Sequence, residues 1–150
     1  MTAVASHQRT GCSLVSDELF SSITEFVVAH FGQDWERARL QTDQALAFVA
    51  TAATSSVPMM PSDDVDHAFH AFILHTKEYA DFCHAHAGRF IHHNPRPGGK
   101  GRPFDAVTAS ARAMKAAGFQ VFDDLWTVNG QNAAQCDSDD GRPYGAASTH

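Results

Sequence analysis

Side chains that can do chemistry are concentrated in one segment of the chain, from Pro61 to Pro95. Seven of the ten histidines lie in this segment, namely His67, His70, His75, His84, His86, His92 and His93. Imidazole nitrogens and carboxylate oxygens bind divalent transition metals, although the same side chains are also common on solvated helix surfaces. Their density favours a metal site and indicates no particular reaction.

Asp66 and His70 are the first pair of candidate metal ligands. They lie four residues apart, so on a helix they are one turn above each other and can point at a common ion, or Asp66 can orient the imidazole of His70. His92 and His93 follow in a proline-rich and glycine-rich stretch, where neighbouring side chains on an extended backbone point in opposite directions. Usually only one of them can then face the site, and we expect one or both to complete a three- or four-ligand site for zinc or iron, with copper as a third option.

No H-E-x-x-H or C-x-x-C motif accompanies these residues, so neither a metalloprotease nor a zinc finger is indicated.

Cys83 and Tyr79 are the candidate catalytic side chains. Both fall on the apolar face of the predicted central helix, where a cysteine is commonly a small hydrophobic residue and a tyrosine a packed aromatic. Cys83 can alternatively act as a thiolate ligand or as a thiol activated by His84 or His86. Tyr79 can alternatively serve as a proton donor.

The elements that must position these residues are helices. Apolar residues recur at spacings of three and four, which predicts an all-α fold of about four helices. The first helix begins after Ser16 and ends at Gly32, and the second spans residues 35–54. The third, taken as the central helix, spans residues 63–87 between Ser62 and Gly88, and the fourth spans residues 104–117.

The connections complete this picture. Phe90 and Ile91 are expected to anchor a return loop that holds His92 and His93 beside the third helix. Phe119, Val121, Phe122, Leu125 and Trp126 are expected to form a short segment that covers the bundle. We expect a flexible arm at residues 1–14, one helical domain at 15–127 and a disordered tail at 128–150.

Composition excludes several classes of protein. The formal charge of −6 argues against a nucleic-acid partner, because phosphate binding requires clustered lysine and arginine. No apolar run approaches the roughly 20 residues that span a bilayer, so no membrane partner is expected. No secretory signal is apparent, and three widely spaced cysteines suit free thiols in a reducing compartment. We therefore expect a cytoplasmic protein, and the oligomeric state stays open.

Three strings suggest a family. They are V-D-x-x-F-H-x-F-I-L-x-T-x-x-Y-x-x-F-C, then G-R-F-I-H-H-x-P, then A-G-F-x-V with L-W. Together they resemble bacterial members of the glycine-rich domain-containing protein-like family over the region from Leu19 to Trp126. The resemblance implies no particular activity, and it places the shared residues on Asp66, His70, Tyr79, Cys83, His92 and His93. The chain departs from that pattern at Phe69, where the family has tryptophan, and it retains a single tail cysteine, Cys136.

Three functions are compatible with these residues. The first is a metal-binding domain that can be a metalloenzyme, in which an open coordination position activates water or dioxygen and the substrate is a small molecule or a peptide. The second is a non-catalytic accessory or interaction module with a structural histidine network. The third is a thiol-dependent enzyme that uses Cys83.

Overall fold

The computed structural model describes residues 8–93, 103–128 and 131–132. These residues form five α-helices, which we number in chain order: α1 (Asp17–Phe31), α2 (Trp35–Thr54), α3 (Asp63–Leu74), α4 (Thr76–Ala87) and α5 (Phe104–Ala116). Two antiparallel strands of two residues each, β1 (Thr127–Val128) and β2 (Gln131–Asn132), follow them. The all-α prediction is confirmed.

The helices begin and end where local chemistry requires. The hydroxyl of Ser16 accepts a hydrogen bond from the backbone N–H of Leu19 at 3.1 Å, and Ser62 caps α3 in the same way at 3.2 Å. These side chains satisfy donors that the first helical turn leaves without partners. Gly32 and Gly88 end α1 and α4 in the left-handed conformation, which glycine adopts without a steric penalty.

The helix predicted over residues 63–87 is interrupted, which is why the bundle has five helices and not four. At the break, His75 has φ −84° and ψ 69°, and its backbone N–H donates to the carbonyl of Phe72. In a continuous helix that N–H would donate to the carbonyl of Ala71. This carbonyl instead accepts a hydrogen bond from the imidazole Nδ1 of His75 at 2.7 Å. This side-chain hydrogen bond competes with the helical one and separates α3 from α4. Thr76, the first residue of α4, is exposed.

The central helix is α2, and the prediction that the histidine-bearing helix is central was wrong. α2 contacts each of the other four helices, and every residue from 41 to 51 is buried. The segment after α5 closes the core as predicted, since Phe119, Leu125 and Trp126 are almost inaccessible to solvent.

Residues near the N-terminus contact the bundle from Arg9 onward. The backbone of Arg9 exchanges hydrogen bonds with Gly118 and Gln120, and the N–H of Cys12 donates to the carboxylate of Asp43 at 2.8 Å. Residues 1–7 of the expected arm and residues 129–130 and 133–150 of the expected tail lie outside the described residues. Within the described ranges, no helix is both long and apolar enough to cross a membrane.

Candidate metal centre

One carboxylate lies between two imidazoles at the start of α3. Asp66 is in the first turn of the helix, His70 is one turn further on, and His93 comes from the return segment, which we define as residues 88–93. The Nδ1 atom of His70 lies 3.1 Å from Oδ2 of Asp66, and the Nε2 atom of His93 lies 3.4 Å from Oδ1. One nitrogen or oxygen atom from each residue lies within 4.8 Å of the others. The three side chains therefore form a convergent donor set.

The set is partly shielded from water. The side chain of Asp66 is 10% exposed and that of His93 is 14% exposed, whereas that of His70 is 41% exposed. The two imidazole rings meet edge to face at a centroid distance of 4.8 Å. His70 is thus the most exposed of the three donors.

A main-chain hydrogen bond orients the His70 ring. Its Nδ1 donates to the carbonyl of Asp66 at 2.8 Å, so the neutral ring carries its proton on Nδ1. Two other histidines make the same contact: His75, at the end of α3, with Ala71, and His30, on α1, with Phe26 at 3.3 Å. This hydrogen bond is therefore not specific to His70, and the carboxylate and His93 are what distinguish the setting of His70.

The structure places the two adjacent histidines of the return segment differently. His93 packs on the ring of Phe69, with centroids 4.5 Å apart, and faces Asp66. His92 is exposed, and its ring contacts Phe90 at 4.9 Å. His92 is not part of the convergent donor set.

Tyr79 and Cys83 lie in the core of α4. The hydroxyl of Tyr79 donates a hydrogen bond to the carbonyl of Ile91 at 2.6 Å, and the residue is 1% exposed. Burial, together with a hydrogen bond to Cys83, raises the pKa of Tyr79 well above its ordinary value of 10.0. Cys83 is a free cysteine with no exposed surface, and it is not in the donor set.

Other histidines of the segment make packing contacts. His67 stacks on Phe31 with ring centroids 4.4 Å apart, and His86 packs on Phe82 at 4.2 Å. His75 joins α1 to the break between α3 and α4, because its Nε2 lies 2.8 Å from the hydroxyl oxygen of Ser22. The richness of the segment in histidine thus has several structural causes.

An open cavity of about 730 Å³ adjoins the donor set. Its wall includes Phe48 and Ala52 of α2, a connecting segment of residues 55–61, Phe69 and four residues of the return segment. His93, which belongs to the donor set, lines the cavity. Phe69, whose ring contacts that of His93, lines it as well. A small molecule in the cavity can therefore reach the side of His93.

Sequence reasoning did not identify Arg89 or the methionines Met59 and Met60 as parts of this site, although all three line the cavity. The string G-R-F-I contains Arg89, but only its apolar residues were interpreted. Met59 and Met60 lie between Pro58 and Pro61, and their sequence context indicates only the end of a helix. Neither Arg89 nor the two methionines belong to a sequence motif that includes Asp66 or His70. Spacing along the chain therefore does not connect them with the donor set.

Comparison with known proteins gives one family match. A family model described as UCP032817-like matches residues 25–98, which is just under half of the chain and includes all three residues of the donor set. This finding corrects the resemblance to the glycine-rich domain-containing protein-like family, because no such family is found. Neither curated proteins nor solved structures give a match.

Proposed function

We propose that this helical domain binds a divalent transition metal ion through Asp66, His70 and His93. The observation that carries the proposal is the position of one carboxylate between two imidazoles from separate segments of the chain. A single histidine–aspartate pair within one helix turn would be ordinary surface chemistry. His93 comes from a different segment and is largely buried, and its position beside Asp66 makes the arrangement a three-donor site.

Two nitrogen donors and one oxygen donor suit zinc and iron best, with copper as a third candidate. Catalytic zinc sites use three protein ligands and leave a position open, and two histidines with one carboxylate also hold non-haem iron. Metal–ligand bonds of about 2.1 Å place tetrahedral ligands about 3.4 Å apart, so the donors need to move together by roughly 1 Å. Rotation of the half-exposed His70 ring can supply much of that movement.

Binding at this site also depends on which nitrogen of His70 carries the proton. The Nδ1 proton of His70 now lies between the main-chain carbonyl and the carboxylate of Asp66. For Nδ1 to become a ligand this proton must move to Nε2 of the same ring, since a metal binds the unprotonated nitrogen. If the ring turns and binds through Nε2, Asp66 orients the ring instead of sharing the ion.

A coordination position left open beside the cavity gives such an ion access to a small molecule. The ion would activate bound water or dioxygen, as a Lewis acid or a redox centre. We assign neither Tyr79 nor Cys83 a direct part in such chemistry. The hydroxyl of Tyr79 holds the return segment, and the thiol of Cys83 is inaccessible to a substrate.

The test is metal analysis of protein purified without a histidine tag, followed by calorimetric titration with zinc and iron(II). We expect one equivalent of metal in the wild type. His70→Ala and His93→Gln should each weaken binding by at least about a hundredfold, since loss of outer-shell partners alone costs 10–100-fold. His84→Ala, an exposed histidine on α4, is the matched control. Equal binding by all four proteins would contradict the proposal.

A further inference from the structure

We infer that the cavity beside His93 binds an amphipathic monocarboxylate, with an apolar body against Phe48 and Phe69 and its carboxylate on Arg89. This inference rests on the proposed function, because it names the class of molecule that would be presented to the metal ion. It adds a binding residue, Arg89, and a substrate class.

The interior of the cavity is suited to an apolar body. Phe48 and Phe69, each 3% exposed, form part of its wall, and their rings meet at a centroid distance of 5.6 Å. Met59 and Met60 of the connecting segment line it as well, and flexible thioether side chains adapt to ligands of different shape. Its volume of about 730 Å³ lies within the range of small-molecule sites.

The charge on the cavity wall is opposite to that of the chain as a whole. The chain has 17 acidic and 11 basic residues, yet among the residues that the structure describes no acidic side chain lines the cavity, and Arg89 is the one permanently charged side chain that does. Arg89 is exposed, and no carboxylate among the described residues forms an ion pair with it. A guanidinium in this setting favours a carboxylate, which it can bind through two parallel hydrogen bonds.

His93 connects this cavity to the donor set. The residue lines the cavity and also contacts the carboxylate of Asp66. A molecule held by Arg89 and the aromatic wall therefore lies next to one of the proposed metal ligands. This adjacency explains why an open coordination position would face a substrate and not only solvent.

The experiment uses three probes with the same apolar tail: octanoate, octan-1-ol and octylamine. Each is titrated calorimetrically into the full chain, after chelator treatment and again after loading with zinc. We expect octanoate to bind the chelated protein about three- to fivefold more tightly than octan-1-ol, since an exposed ion pair contributes modestly. Octylamine should bind more weakly than both.

Two variants assign the effect to this cavity. Arg89→Gln should bring octanoate to the level of octan-1-ol, while Arg39→Gln, which alters an arginine paired with Glu36 on α2, should leave the preference unchanged. Ala52→Phe places a ring in the cavity from the half-buried side of α2 and should weaken all three probes at least about tenfold. Circular dichroism shows whether Ala52→Phe is folded, and Arg89→Gln alters only an exposed side chain.

The outcomes separate this inference from the metal proposal. Equal binding of the three probes, or an octanoate preference that persists in Arg89→Gln, overturns the inference even if zinc binds. An Arg89-dependent preference in chelated protein supports it even if no metal is found, and the metal proposal then fails alone.

Discussion

The hydroxyl of Tyr79 donates a 2.6 Å hydrogen bond to the carbonyl of Ile91, which ties the return segment to α4. Ile91 lies two residues before His93, so this bond fixes the backbone from which the His93 ring projects. Phe69 then supports the ring directly and also lies near Tyr79, with centroids 6.3 Å apart. The position of the proposed ligand is thus determined by the core and not by the loop alone.

Removal of this hydroxyl should weaken metal binding without removing a ligand. We expect Tyr79→Phe to lower zinc affinity about three- to tenfold, because a supporting group is lost while the donors remain. Loss of the hydrogen bond should also lower the free energy of unfolding by about 1 kcal/mol. Calorimetric titration and urea denaturation measure the two effects. Tyr144→Phe, at the chain's other tyrosine, is the control, and unchanged affinity in Tyr79→Phe would show that His93 is positioned otherwise.

Tyr79 should resist ionisation in the folded protein. Burial, with the hydrogen bond to Cys83, raises its pKa above the ordinary value of 10.0, so the folded state keeps the proton after the unfolded state has lost it. The stability from this group is therefore complete below pH 10 and decreases above it, by up to about 1.4 kcal/mol per pH unit. In Tyr144→Phe, tyrosinate absorbance should appear only on unfolding. Compared with Tyr79→Phe, the wild type should lose stability more steeply above pH 10, and a normal titration would contradict this.

Two buried glutamines of α2 should differ in their importance. Gln44 accepts hydrogen bonds from the N–H of Phe122 and the indole of Trp126, and it donates to the carbonyl of Gln120. Gln44→Leu leaves these groups buried without that partner, which should cost about 3 kcal/mol or more.

Gln41 is the matched control for Gln44. Its amide donates to the carbonyl of Asp64, while its own buried oxygen accepts no hydrogen bond from any described residue. Gln41→Leu also removes that unsatisfied oxygen, so it should cost no more than about 1 kcal/mol. Urea denaturation of both variants measures the difference, and equal losses would contradict the role given to Gln44.

These glutamines also show what the sequence could not predict about the core. A run such as Gln41-Thr42-Asp43-Gln44 has the composition of a solvated helix face, yet all four residues are buried. Their partners are distant in sequence: Asp43 accepts from Cys12, and Gln44 contacts residues near 120. Polarity could not identify α2 as central, because these contacts require the folded chain. Conversely, the large apolar side chain of Trp35, at the start of the same helix, is 46% exposed.

Local signals were more reliable. The caps at Ser16, Asp34 and Ser62 and the stop at Gly88 were predictable, because each depends on neighbouring residues only. The break at His75 was not, since it depends on an imidazole taking a main-chain acceptor.

The candidate site divides in the same way. The proximity of Asp66 and His70 follows from helix geometry alone, and the structure adds the distance of 3.1 Å. Which of His92 and His93 faces Asp66 depends on the bond between Tyr79 and Ile91 and on the Phe69 ring. Those contacts join three segments, so no spacing rule could select His93.

Asp66→Asn distinguishes a metal site from a purely structural histidine network. The amide preserves the shape of the side chain but removes the charge that both imidazoles contact. If the donors bind metal, zinc at about 100 times its Kd should stabilise the wild type by about 2.7 kcal/mol, or roughly 10 °C in Tm. Asp66→Asn should lose most of this shift, and His84→Ala should keep it.

A structural network makes a different prediction for the same thermal-shift series. The carboxylate would then act only through its contacts with the two rings, so Asp66→Asn should lower Tm by the same amount with zinc and with chelator. The wild type should also melt at one temperature in both conditions. That pair of results would contradict the metal proposal, because an ion that binds the folded state must raise its stability in proportion to occupancy.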